Sequence, residues 1–134
     1  MSTTFDRPGF RRSWSVDRFR PVRKPETEFL AVVTSFEEVK SGHGNLMWVF
    51  GVTLRDDASA SYPVYCTFRE ETAWWFRQFL MGCAVEVPRG SDPHREINPN
   101  HLVGKTLGIA LEDDEKDTSA VACFFPAPEF DGPR

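Results

Sequence analysis

Strict alternation of apolar and polar positions sets in at Phe29. In "FLAVVTSFEEV" Leu30, Val32, Thr34 and Phe36 fall on one face of an extended chain, and Phe29, Ala31, Val33 and Ser35 on the other. A two-residue period of this kind predicts a strand, and the β-branched and aromatic content agrees. "KSGHGN" (40–45) follows, with two glycines and an Asn, and predicts a hairpin loop. In "LMWVFGVTLR" Leu46, Trp48, Phe50, Val52 and Leu54 alternate cleanly and predict a core-facing row. Met47, Val49, Gly51 and Thr53 point the other way. Gly51, without a side chain, marks a bend, a bulge or a close backbone approach. "DDASAS" predicts another turn, and "YPVYCTF" a third strand whose Pro63 suits an edge or a bulge.

The period then changes. Thr67 and Glu70 have capping-box spacing and predict a helix start. Through "EETAWWFRQFLMGC", Thr72, Trp75, Phe76, Phe79, Leu80 and Cys83 form one apolar stripe at helical spacing. Trp75 lies on the stripe. Trp74 lies about 100° away, at its rim. "EVPRGSDPHREINPNH" reads as a loop, "LVGKTLGIALE" as a fourth strand, "DDEKD" as an acidic turn and "TSAVACFFPA" as a fifth strand. The expected organisation is an extended arm over 1–28, a domain over 29–127 and a short tail over 128–134.

Three strands, a helix and two further strands is the pattern of a mainly β domain. It fits a five-stranded, partly open Greek-key barrel of the OB-fold kind, with its helix between the third and fourth strands. An open antiparallel sheet with one helix packed on it is the alternative. The chain has 134 residues, the size of one domain plus an arm. No apolar run approaches the ~20 residues of a membrane span. The first residues carry charge rather than an apolar signal core, so a soluble, cytoplasmic protein is expected.

Charge is divided unevenly. The net charge is −4. Residues 1–24 hold Arg7, Arg11, Arg12, Arg18, Arg20, Arg23 and Lys24 against Asp6 and Asp17, a net +5, which leaves −9 on the remainder. Such a split assigns the arm a task of its own. The arm also interleaves Phe10, Trp14 and Phe19 with its cations. Arginine pairs with phosphate bidentately and stacks on flat rings, so this composition suits nucleic acid. Docking on a protein surface, in the same or a neighbouring chain, is equally compatible with it, and a solvated tail is the third possibility.

The stretch 29–126 resembles a family of small phage and prophage domains of unknown function, found with replication and recombination genes and regarded as OB-fold single-stranded-DNA-binding proteins. "FEEVKSGHGNLMWVFGV" resembles the family's strand, turn and strand, and "ETAWWFRQFL" its helix with a Trp and an "FL" pair. "LVGKTLGIAL" resembles its L-x-G-K strand, and "VACFFPA" its closing strand with a Phe-Pro step. Ala84 stands where the resemblance places a glycine closing the helix. The resemblance implies binding of single-stranded DNA, in preference to RNA, in phage replication or recombination.

Catalysis finds no support in motif. No G-x-S-x-G elbow, phosphate-binding glycine loop or zinc-protease motif is present. Glu112, Asp113, Asp114, Glu115 and Asp117 lie in one turn and read as solvated surface. Cys66, Cys83 and Cys123 are scattered and odd in number, which predicts buried structural thiols. His43, His94 and His101 add no zinc-ligand spacing, and no cofactor or metal is expected.

Single strands are held by a basic groove with aromatic platforms, on OB-folds by strands two and three and the loops beside them. The candidates on the body are therefore Lys40, His43, Arg55, Tyr65, Arg69 and Lys105, with Asn45, Met47, Val49 and Thr53 on the same surface. On the arm they are Arg11, Arg12, Trp14, Arg18, Phe19, Arg20, Arg23 and Lys24. Tyr65 is the stacking candidate of the body; packing beneath the arm or against a neighbour is its other reading. A protein-interaction module that binds or inhibits a host or phage enzyme is the rival function, and the acidic body would suit a basic partner.

Overall fold

Each apolar run becomes one strand of a five-stranded antiparallel sheet. The computed structural model describes residues 19–40, 44–68, 72–87, 97–114 and 117–129. The strands are β1 (Glu28–Lys40), β2 (Leu46–Leu54), β3 (Asp57–Thr67), β4 (Thr106–Asp114) and β5 (Thr118–Phe125), with one helix, α1 (Ala73–Gly82), between β3 and β4. The strand order is β3-β2-β1-β4-β5. Residues 28–32 of β1 pair with β4 and residues 31–40 with β2. The two edge strands, β3 and β5, approach one another.

The core lies between one face of the sheet and α1. Trp48, Phe50, Val52 and Leu54 of β2 enter it as their alternation predicts, with Ala60, Tyr62, Val64 and Cys66 of β3, whereas Leu46, at the start of β2, is exposed instead of facing the core. The helix contributes Phe76, Phe79 and Leu80, all fully buried. Aromatic rings join the layers: Phe50 lies 4.8 Å from Phe79, and Phe79 lies 5.2 Å from Phe124 of β5. Trp75 is half-buried rather than enclosed, 4.6 Å from Phe124, and Trp74 is exposed. The Trp48 indole N–H, at the rim of the core, donates to Glu38 across the β1–β2 ladder at 3.0 Å.

Several expectations are corrected. β1 does not keep one set of residues on one face. The register slips between Val33 and Ser35, so that Thr34 is an extra residue opposite β2. The slip reverses the parity. Ala31 and Val33 are buried in the core, and Phe36, three residues on, packs against it too. β3 begins at Asp57 rather than Tyr62, because the turn needs only Arg55 and Asp56. Small residues disguised this strand as a loop, yet Ala60 keeps its two-residue phase with Tyr62.

Thr67 ends β3 instead of starting the helix. Its hydroxyl lies 2.6 Å from that of Thr72, and α1 starts at Ala73. β4 begins at Thr106: Pro99–Leu102 form a 3-10 turn, and Gly104 turns the chain at φ 99°. Cys66 and Cys83 are buried thiols as expected, whereas Cys123 is exposed.

The helix ends in a closed motif. Ala84 adopts φ 61°, its N–H donates to Met81 O at 3.0 Å, and the Val85 N–H donates to Leu80 O at 3.0 Å. This is the pairing of a Schellman turn, in which glycine ordinarily occupies the left-handed position. The backbone thus keeps the conformation that the missing glycine would favour.

Candidate functional site

The outward face of β1–β3 carries a second apolar cluster. Val39, Met47 and Val49 are buried there, although they alternate with core residues. What covers them is the described end of the arm. Phe19 is only 8% exposed and belongs to this cluster, with Tyr65 half-buried against it. Gly51 explains how the ring fits: a Cβ there would stand 2.9 Å from Phe19 Cε1 and closer still to Ser35 Oγ. The empty position on β2 is therefore a close approach made by the arm.

Residues 20–24 then run between the two edge strands. Arg20 O accepts from the Ser61 N–H of β3 at 2.9 Å, and the Arg20 N–H donates to Ser61 Oγ at 3.0 Å. Pro21 O accepts from the Ser119 N–H of β5 at 3.0 Å. Val22 bridges to Thr118, and its carbonyl accepts from the Tyr62 hydroxyl at 2.7 Å. The Lys24 N–H donates to Ser119 Oγ at 2.9 Å. The segment is a strap across the opening between β3 and β5, satisfying backbone groups that edge strands otherwise leave bare.

The charges of the strap are divided in use. Arg23 is bidentate to Asp113, at 2.9 and 3.3 Å, and reaches Asp117 at 2.7 Å. Its hydrogen bonds to Asp117 and Asp113 raise its pKa above the ordinary value. Lys24 Nζ meets Asp57 at 2.7 Å. That contact, with hydrogen bonds from Ser59, lowers the Asp57 carboxyl to about 2. The acidic turn is accordingly the dock of the arm rather than bare solvated surface. The Asp113 N–H also donates to Glu26 Oε2 at 2.9 Å. Burial, and secondarily Asp57, pushes the Tyr62 phenol up to about 12, which keeps it a donor to Val22. Burial, and secondarily Asp114, raises Tyr65 to about 12 as well.

The other candidates are dispersed. The side chains of Arg20, Lys40, Arg55 and Lys105 make no ion pair among the described residues. Lys40 ends β1, Arg55 sits in the β2–β3 turn, and Lys105 precedes β4. Only Arg20, Phe19 and Tyr65 come to the outward face of β1–β3 itself. Arg11, Arg12, Trp14, Arg18, His43 and Arg69 lie outside the described residues.

Beside Phe19 an open cleft of about 320 Å³ is lined by Arg20, Thr34, Ser35, Thr53, Ala58, Ser59 and Ser61 as well as the ring. Of these hydroxyls the sequence placed Thr53 on this surface and missed the others. The signal that could have found them is their place: once the bulge is allowed for, they are the outward residues of three adjacent strands. Thr34 and Thr53 pair with each other at 2.8 Å, and Ser59 is held by Asp57. The Ser35 hydroxyl has no hydrogen-bond partner among the described residues.

No three metal-ligating side chains stand together among the described residues, and none of their helices is long and apolar enough to cross a membrane. Compared with known proteins, the chain matches no family model and no curated protein.

Proposed function

We propose that this is a non-enzymatic single-stranded-DNA-binding protein of phage type, acting in DNA replication or recombination in the host cytoplasm, built on a partly open Greek-key barrel of OB-fold kind. The observation that carries the reading is the part played by β1. It pairs first with β4 and then with β2, bulging beside the point where one pairing gives way to the other. With a helix between β3 and β4 and the edges β3 and β5 drawn together, this is how a short sheet curls towards closure. Barrels of this kind carry single strands across strands two and three. Here that face offers the part of Tyr65 left uncovered by its packing against the Phe19 cluster and an arginine at its border, the two ingredients of sequence-tolerant binding. The preference for DNA over RNA rests on the resemblance of 29–126.

One observation favours a second reading, a phage-encoded protein-interaction module that binds or inhibits a host or phage enzyme. Asp57, Asp113 and Asp117 already hold a basic peptide, the protein's own residues 23 and 24. The same acidic surface would suit a basic segment of a partner.

Fluorescence anisotropy with labelled oligo-dT at low salt separates the two. Length-dependent binding at micromolar Kd or tighter supports the first. No binding at low salt removes it and leaves the second.

A further inference from the structure

We propose that the cleft beside Phe19 is a subsite for one sugar-phosphate unit, with Arg20 as its phosphate ligand. The idea rests on the reading of the outward face as a nucleic-acid surface and deepens it to a place and a contact.

Three features define the ligand. The first is charge. Arg20 lines the cleft and makes no ion pair among the described residues. Asp57, which precedes Ala58 and Ser59 in the chain, is already bound by Lys24 at 2.7 Å. Among the described residues the cleft is therefore left with one uncompensated cation, whose planar fork matches a phosphate. The second is the lining. Ser35, Ser59, Ser61, Thr34 and Thr53 surround the space with hydroxyls, which donate and accept equally and suit sugar oxygens. Ser35 is the one among them with no present partner among the described residues. The third is size. A volume of about 320 Å³ lies at the lower end of the range for small-molecule sites. It exceeds what a bare ion needs, and the Phe19 ring supplies one apolar wall. The arm would thus complete the site with Phe19 and Arg20 instead of merely covering the sheet.

The backbone of Arg20 belongs to the strap, whereas its guanidinium makes no hydrogen bond or ion pair with a described residue. Arg20→Ala should therefore keep the wild-type melting temperature within a degree or two, and Arg20→Lys provides a second variant that retains charge without the fork.

The test is a titration of the full chain followed by amide NMR shifts, using dTMP, thymidine and oligo-dT as separate probes. Expected are saturable shifts at Ser35, Thr53 and Ser61 with dTMP and with oligo-dT, and none with thymidine. Losing a charge-assisted hydrogen bond typically weakens binding about tenfold or more, so Arg20→Ala should raise the dTMP Kd by that factor, with Arg20→Lys between. Equal shifts with thymidine, or an unchanged Kd in Arg20→Ala, would overturn the phosphate role. Oligo-dT binding that leaves these amides unmoved overturns the subsite and spares the proposed function. Shifts with dTMP in a protein that does not bind oligo-dT do the reverse.

Discussion

At Gly51 a single hydrogen atom decides whether the arm can lie down. Its Cα faces Phe19 and Ser35 so closely that a methyl group must displace one of them. Overpacking of this kind costs about 1–3 kcal/mol. Gly51→Ala should lower the urea midpoint by a corresponding amount. Adding Phe19→Ala should then cost less than it does alone, the mark of two sites that share one space. Ala84 presents the opposite case. Its φ of 61° strains a side-chain-bearing residue by about 1–2 kcal/mol, while glycine loses more chain entropy on folding. Ala84→Gly should therefore stabilise by about 0.5–1 kcal/mol, read as a rise in melting temperature. The departure from the glycine that a Schellman turn favours is thus one of sequence and not of conformation.

Among the elements, the strap depends on ion pairs whose strength varies with pH. The folded carboxyl of Asp57 sits at about 2, below the ordinary Asp value of about 3.9. Its contribution is complete above about pH 4 and fades as pH falls towards 2, since the unfolded chain takes up the proton first. Denaturant midpoints between pH 5 and 2 should fall for the wild type. Asp57→Asn should start lower and lose part of that dependence. The legibility of the elements follows the same physics. The β2 row from Trp48 to Leu54 was readable because its own two-residue alternation is unbroken, the extra residue opposite it being carried by β1. The β1 row was not, since one inserted residue at Thr34 reverses every later side chain and leaves no mark in composition. Tyr65 could be narrowed from sequence to two roles. Its place in the cluster of Phe19 answers to packing beneath the arm, a contact between residues 46 apart that local pattern cannot encode. The arm's charge was plain; its division between Arg23 and Lys24, held by carboxylates, and Arg20, held by none among the described residues, required the fold.

For the whole molecule, the proposed function would rest the arm's contact with nucleic acid on residues 1–18 and Arg20. Removing 1–18 deletes Arg7, Arg11, Arg12 and Arg18 and leaves the strap in place. If all four meet phosphates, the slope of log affinity against log salt should flatten by about 3, at about 0.7 per phosphate neutralised on a single strand. Trp14→Ala should weaken binding with little change of slope, because stacking displaces no counterions. An unaltered slope and affinity in the truncated chain would exclude residues 1–18 from the nucleic-acid contact.

The strap also bears on how the protein remains a discrete particle in a crowded cell. Without residues 19–24, the Ser61 and Ser119 amides lose their acceptors, and two strands offer open hydrogen-bonding rims to any neighbour. Val39, Met47 and Val49 would be uncovered beside them. A chain cut after residue 24 should therefore self-associate, with light scattering that grows with concentration, while one cut after residue 18 should stay as dispersed as the full-length protein. The same few residues that border the cleft would act as the chaperone of the sheet they close.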